Sequence, residues 1–339
     1  MIKILVDCFG GDHCPQAPVE GALAAMAANP DLHILLTGDE QILKKELEGK
    51  RFDPARLEIV HAPEVIGCDE KPTDVVRLKR NSSMMKAIIL LRDRDDIAAM
   101  VSTGSTGALV TGALVRLGRI PGVIRPAFCP ILPTMNGGLV GICDSGANVE
   151  VTPAHLRQFA IMASLYMEHV YGVQKPRVAL LNVGKEAEKG DDIRRETYGL
   201  LQETESVHFV GNMESRDLLS GSYDVVVADG FSGNVLVKTT EGTALELLGK
   251  LKKEIFSRTI YKLGALLMKK MFADMKAFMN YQNYGGSVLL GTAKVVVKGH
   301  GSSKAVAVQK CIEQAYRMEV SRLSERIETE INKYEHYVL

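Results

Sequence analysis

The chain has 339 residues, 41 of them basic and 41 acidic, so it carries no net charge at neutral pH. That balance excludes the broad positive field of a nucleic-acid binder, and any anionic partner must be met by a local patch. With 46% hydrophobic and 24% charged residues, the composition fits a globular protein able to build one broad α/β domain, or two lobes around a cleft.

A first strand over 2–6 runs into Asp7-Cys-Phe-Gly-Gly-Asp-His13. A small-residue helix is expected over 15–28, a strand over 32–37, a solvated helix over 41–48 and a short strand over 57–61. Residues 62–73, with their Pro and Gly, read as a surface loop, and 74–92 as one helix. A second strand, 97–101, ends in Ser102-Thr-Gly-Ser-Thr-Gly107 and leads to a helix over 108–117. A third, 139–143, ends in Asp144-Ser-Gly-Ala-Asn148. Thr152 as cap and Pro153 at the first helical position then open a long helix. A strand over 178–181 enters Asn182-Val-Gly-Lys185, followed by a helix over 190–202 and a strand over 207–210. The strand 225–228 enters Asp229-Gly-Phe-Ser-Gly-Asn234 and a helix over 235–251. The last strand, 295–297, meets Lys298-Gly-His-Gly-Ser-Ser303 before one long helical stretch to residue 334.

Six of these strands are apolar on both faces and stop abruptly in a small-residue turn. Such runs read as buried parallel strands of a three-layer α/β/α fold, whose turns mark the edge where ligands bind. Amides freed by glycine beside a helix start favour an anion, which points to a small-anion enzyme.

Residues 251–280 differ from the rest. Phe256, Ile260, Leu263, Leu267, Met271, Met275 and Phe278 recur at steps of three or four, and Lys262, Lys269 and Lys276 form a separate stripe. This pattern fits a core-packing or dimer-forming helix pair with a solvated basic face. The other reading is an amphipathic protrusion lying on an anionic membrane surface. The six cysteines are scattered without a C-x-x-C pair, the start enters a strand with no basic leader or cleavage site, and no apolar run approaches spanning length. A cytoplasmic location is the expectation.

The hydroxyls and amides of Ser102, Thr103, Gly104, Ser105, Thr106 and Gly107 can surround a tetrahedral anion, although capping the next helix needs only one of them. The turn is neither a Walker loop nor a dinucleotide fingerprint, so no cofactor is expected. Gly230, Ser232, Gly233 and Asn234 form a second such turn beside Asp229, with Lys238 one helical turn onward; that lysine neutralises a bound anion or is simply exposed. Gly10, Gly11, Asp12 and His13 follow the first strand, and His13 is an acid, a base, a donor or a structural histidine. His300 carries the same ambiguity. Asn182 orients a ligand or caps a helix. Asp12-His13-Cys14 lacks a third ligand at a recognised spacing, so no metal is expected.

Taken in order, these turns, with Arg77-Leu-Lys79, Ser82-Ser-Met84, Gly211-Asn-Met-Glu214 and Tyr284-Gly-Gly286, resemble the PlsX-type phosphate acyltransferases over nearly the whole chain. The departures are Cys8-Phe9 where the family reads Ala-Met, and Ser102-Thr-Gly-Ser-Thr-Gly107 where it reads Ser-Ala-Gly-Asn-Thr-Gly. The resemblance implies a fold like that of phosphotransacetylases and the isopropylmalate dehydrogenase group. It implies transfer of a fatty acyl group from acyl-carrier protein to inorganic phosphate, giving acyl phosphate for phospholipid synthesis. On that basis phosphate is expected at 102–107 and 229–234, with Lys238 neutralising it and His13 and Asp229 assisting chemistry. The carrier protein is acidic, so Arg77, Lys79 and Arg80, or the face bearing Lys262, Leu267, Lys269 and Met271, become contacts for it or for an anionic membrane. A homodimer, peripheral at the inner face of the membrane, completes the expectation, with no role for nucleic acid. The rivals are a related acyltransferase using a coenzyme A thioester and a non-catalytic membrane adaptor for carrier protein.

Overall fold

A computed structural model describes residues 1–67, 70–278 and 284–334, without the side chains of 276–278. Cys68 and residues 279–280 of the 251–280 stretch lie outside the described residues. In chain order the strands are β1 (Ile2–Asp7), β2 (Leu32–Gly38), β3 (Leu57–His61), β4 (Ile97–Ser102), β5 (Ala127–Cys129) and β6 (Ile131–Pro133). There follow β7 (Leu139–Cys143), β8 (Arg177–Leu181), β9 (His208–Met213), β10 (Val225–Val227), β11 (Ser287–Leu290) and β12 (Val295–Lys298). The helices are α1 (Gln16–Ala28), α2 (Glu40–Leu47), α3 (Pro72–Leu78), α4 (Ser83–Asp93), α5 (Thr106–Gly112) and α6 (Pro153–Tyr171). The remainder are α7 (Asp192–Gln202), α8 (Gly230–Ser257), α9 (Thr259–Leu267), α10 (Lys269–Phe278), α11 (Ala305–Val320) and α12 (Leu323–Asn332).

The strands settle into two sheets, ordered β3-β2-β1-β4-β12-β11-β5 and β6-β7-β10-β8-β9. All nine predicted strands are present, and the six that are apolar on both faces fall three to a sheet. β1, β4 and β12 run parallel side by side in the first, and β7, β10 and β8 do so in the second. Each trio therefore delivers its turns to one edge of its own sheet. The outer strands β11, β5 and β6 pair antiparallel.

Alternate residues of a strand face opposite layers. In the first sheet Ile4, Val6, Ala99, Val101, Val295 and Val297 join one large core, while Leu5, Met100 and Val296 join another beneath α4 and α5. In the second sheet Val225, Val227, Val178 and Leu180 face that same large core, and Val226 and Ala179 face a third with Leu236 and Val237 of α8. The central layer, carrying Phe159, Ala163 and Tyr166 of α6 and Ile312 and Ala315 of α11, is thus shared by both sheets. Burial of these side chains holds the two sheets in fixed relation.

Four expectations change. The helix expected over 74–92 divides into α3 and α4, because Ser82 turns extended and accepts the Met85 N–H as a new cap. The stretch after Ser303 divides at Arg322, whose left-handed φ of 52° ends one helix and starts the next. Residues 230–234 are the first turn of α8, capped by Asp229, not a loop before it. The 251–280 stretch is the end of α8 followed by α9 and α10, so its apolar residues share no single helical face. Nor are they core: Phe256, Ile260, Leu263, Leu267, Met271 and Met275 are all exposed, Leu267 at 90%.

Candidate active site

A cleft of about 170 Å³ opens where the carboxyl ends of the two parallel trios face one another. The first sheet supplies Thr106 after β4, Gly285, Gly286 and Ser287 at the start of β11, and Lys298, Gly299, His300 and Ser303 after β12. The second supplies Ser145 after β7 and one face of α8, with Asn234, Val237, Lys238 and Glu241. Phe128, Pro130, Ile131 and Leu132, where β5 passes to β6 between the sheets, add an apolar wall.

The polar end is cationic. Burial pulls the Lys298 ammonium down to about 8, with Asp7 and Asp12 pulling the other way. Its Nζ donates to the Gly299 carbonyl and lies 3.5 Å from that of Thr103. Burial, then the charges of Lys298 and Lys238, lowers the pKa of His300, so the ring is neutral at pH 7. Ser302 N–H donates to His300 Nδ1 at 3.1 Å, which places the remaining ring proton on Nε2. Burial raises the carboxyl pKa of Glu241, and Lys238 opposes it. Two lysines and an imidazole N–H at one end of an apolar-walled cleft suit an anionic head group joined to an apolar body.

The turns after β1 and β4 build the support behind this end. Asp7 is buried, accepts Ser102 Oγ at 2.7 Å and Phe9 N–H at 3.3 Å, and has its pKa raised by burial. Ser102 Oγ accepts the Gly104 N–H at 3.1 Å, and the Thr103 hydroxyl donates to the Gly10 carbonyl. A Cβ on Gly10 would stand 2.7 Å from Gly104 Cα, so only glycine allows the two turns to touch. Gly11 has a φ of +110°, and Asp12 N–H donates to the Gly301 carbonyl at 2.8 Å, tying the first turn to the last.

Of the expected site residues, the cleft gathers Thr106, Asn234 and Lys238 on its lining. Gly10, Gly11, Asp12, Ser102, Thr103 and Gly104 lie in the supporting contacts. Ser105 caps α5 by accepting the Ala108 N–H, and Gly107 packs against Pro72. His13 is exposed and off the lining; its carbonyl accepts the Ala17 N–H. Asn182 holds its own loop, donating to the Lys189 carbonyl at 3.0 Å and accepting the Val183 N–H at 2.8 Å.

Of residues 229–234 only Asn234 is on the lining, and Asp229, Gly230, Ser232 and Gly233 make contacts within the fold. Asp229 accepts the Ser232 N–H at 2.8 Å and pairs with Arg194, so both carboxylate oxygens are engaged. Gly230 N–H donates to the Asn148 carbonyl at 2.7 Å, and a Cβ on Gly233 would overlap the Asp144 carbonyl oxygen. Asp144, buried, organises the facing turn by accepting backbone N–H groups of Phe128, Ser145, Ala147 and Asn148. The glycines are there for close approach, and the N–H groups of Gly230, Ser232 and Gly233 are spent within the fold.

Sequence reasoning passed over Lys298, Glu241 and Ser145. Lys298 had a signal: a lysine placed directly after a buried parallel strand, where charge is costly without a purpose.

The chain matches the family model described as "Fatty acid synthesis protein" over residues 2–326. It is 45% identical to the phosphate acyltransferase of Halalkalibacterium halodurans over 333 residues, covering 98% of this chain and 97% of the relative. It belongs to the phosphate acyltransferase family. The enzyme of that name from Bacillus subtilis is 43% identical, with 98% of each chain covered. Among solved structures, a phosphotransacetylase from Streptococcus pyogenes shares the fold at a TM-score of 0.61 and 16% identity, with 94% of each chain covered. The 4-hydroxythreonine-4-phosphate dehydrogenase of Klebsiella pneumoniae shares it at 0.53 and 13%, covering 94% of this chain and 99% of its own. This chain therefore sets two parallel-rich sheets around a cleft in an α/β architecture shared with that phosphotransacetylase.

Among the described residues no helix is long and apolar enough to cross a membrane, and no group of three His, Cys, Asp or Glu side chains is placed to hold a metal ion.

Proposed function

We propose that the cleft transfers a fatty acyl group from the thioester of acyl-carrier protein to inorganic phosphate. Membership of the phosphate acyltransferase family supports acyl transfer to phosphate. The observation that carries the assignment of residues is the meeting of Lys238, Lys298 and His300 at one end of a cleft whose wall is Phe128, Pro130, Ile131, Leu132 and Val237.

Phosphate binds against Lys238 and Lys298, with Asn234 and Thr106 as hydrogen-bonding partners. One phosphate oxygen attacks the thioester carbonyl carbon, and the carbonyl oxygen takes up negative charge. The Nε2–H of His300 donates to that oxyanion, a role for a neutral imidazole that the lowered pKa favours. The tetrahedral intermediate collapses with cleavage of the C–S bond. The proton that hydrogen phosphate carried ends on the sulfur, leaving acyl phosphate and free carrier thiol. Lys298, with a pKa of about 8 near that of a thiol, suits the passage of that proton. Holding two anionic partners close is the main demand, so positioning and charge dominate.

Exposed Arg77 and Arg80 are the basic contacts for an acidic carrier, while Lys79 is committed to Glu70 at 2.5 Å. The exposed apolar residues of α9 and α10, with Lys262 and Lys269, suit peripheral binding to an anionic membrane at its inner face, and the enzyme works as a homodimer.

The test supplies purified protein with phosphate and either palmitoyl-carrier protein or palmitoyl-coenzyme A, and traps acyl phosphate with hydroxylamine. Phosphate-dependent product from the carrier thioester is expected. Product from coenzyme A alone moves the assignment to that donor, and a thioester left intact in both arms removes it.

A further inference from the structure

The charged end of the cleft is built almost wholly of donors. Lys238 and Lys298 carry ammonium groups, His300 presents Nε2–H, and Thr106 and Asn234 bring a hydroxyl and an amide. Glu241 is the exception, with the one carboxylate among the described residues that line the cleft. Its place follows from α8, where Asn234, Lys238 and Glu241 fall at steps of four and three and so share one side of the helix. That side is turned to the cleft, since all three residues line it. Burial raises the Glu241 carboxyl pKa, while the Lys238 charge opposes the rise and favours the ionised form. An ionised carboxylate accepts hydrogen bonds and donates none. Inside an anion site it repels the ligand, unless that ligand brings a proton to place between them.

We infer that Glu241 accepts the P–OH of bound hydrogen phosphate, so that the site admits oxyanions carrying a proton and turns away those without one. The inference rests on the function proposed above and adds which anions the site can use. At neutral pH phosphate and arsenate keep at least one proton, whereas sulfate, of the same shape, keeps none. With hydrogen phosphate each group finds a match: unprotonated oxygens meet Lys238 and Lys298, and the P–OH meets Glu241. With sulfate the carboxylate faces an oxygen that can only accept, and two like charges meet with no proton between them. A site built around one hydrogen bond rejects the analogue lacking it far more strongly than a pocket that senses size alone. The same bond turns the protonated oxygen toward α8 and leaves an unprotonated one for the thioester carbon. No step is added to the transfer, and the proton held at Glu241 is the one that later ends on the sulfur.

The experiment takes full-length wild type and Glu241→Gln with palmitoyl-carrier protein at pH 7 and constant ionic strength. It reads the phosphate KM from acyl phosphate formed, and the inhibition constants of sulfate and arsenate against phosphate. Wild type should hold sulfate at least about a hundredfold more weakly than phosphate, and arsenate within about tenfold of it. The amide of Glu241→Gln can donate, so sulfate should bind at least about tenfold tighter there while the phosphate KM rises. Where turnover of the variant is too slow to measure, the same ratio is read from the rise in melting temperature each anion gives. Sulfate competing in wild type as well as arsenate does overturns the filter. So does an unchanged sulfate-to-phosphate ratio in Glu241→Gln, with both anions tightened alike or neither, since the carboxylate would then only balance charge. Wild-type protein that forms no acyl phosphate at any phosphate concentration overturns the reading of the cleft instead, and the absence of product tells that failure apart.

Discussion

Gln314 grips Gly286 by both of its backbone polar groups. Its Oε1 accepts the Gly286 N–H at 2.8 Å and its Nε2 donates to the Gly286 carbonyl at 3.1 Å, while also donating to the Tyr166 hydroxyl. Gln314 is wholly buried on α11, and Gly286 lines the cleft. The central core thus reaches through one amide to the wall of the site. Gln314→Leu would remove the partner of the Gly286 N–H and carbonyl, at a cost of about 1–3 kcal/mol for each group left buried, while the Tyr166 hydroxyl keeps the Tyr171 hydroxyl at 3.2 Å. The expected result is a lower urea midpoint together with a raised KM for the acyl donor. A variant matching wild type in both would show the grip to be idle.

Lys298 gives a pH dependence with a defined sign. Its folded-state pKa of about 8 lies below the ordinary lysine value of 10.5, so the ammonium that holds phosphate is lost as pH rises through about 8. Phosphate affinity should fall across that range, and Lys298→Arg, which stays charged, should keep its affinity to higher pH. Stability runs the other way: because folding disfavours the charged form, stability without phosphate should rise between about pH 8 and 10.5. Paired phosphate-binding and denaturant titrations over pH 7–11 would detect both slopes, and parallel slopes would contradict the account.

The two histidines should separate cleanly. His300 lines the cleft with Nε2 carrying the proton, whereas His13 is exposed and away from the lining. His300→Ala should reduce kcat by about a hundredfold, the lower range for a lost donor to a developing charge. His13→Ala should stay within about threefold under the same assay. The reverse ranking would place the chemistry at the first turn.

At the end of α9, Leu267 is the most exposed of the large apolar side chains among the described residues. Flotation with anionic liposomes should carry wild-type protein upward, and Leu267→Glu should weaken that recovery several-fold by opposing both apolar burial and surface charge. Equal recovery would detach α9 from the membrane.

Much of the frame is legible in the residues. Doubly apolar runs such as 225–227 and 295–297 announce buried parallel strands because neither face meets water. What the pattern hides is the division into two sheets, since β5 and β6 are three-residue edges that lie next to each other in sequence yet join different sheets, β5 through the distant β11. At the site, the Gly-rich runs are legible as turns, yet their purpose is not. A glycine that frees an amide and a glycine that admits a neighbouring backbone look alike, and Gly10, Gly230 and Gly233 prove to be of the second kind. Lys298 and His300 stand side by side in one turn, but their convergence with Lys238 arises only when two sheets face each other.

Asp229, Gly233 and the paired valine and leucine beyond them fasten only the first two turns of a 28-residue helix. At 1.5 Å per residue that helix extends about 42 Å, so most of its length lies beyond the anchors that hold its start beside the cleft. A small rotation there sweeps the far end through a much larger arc, and anything that seizes the far end can return a fraction of its displacement to Lys238.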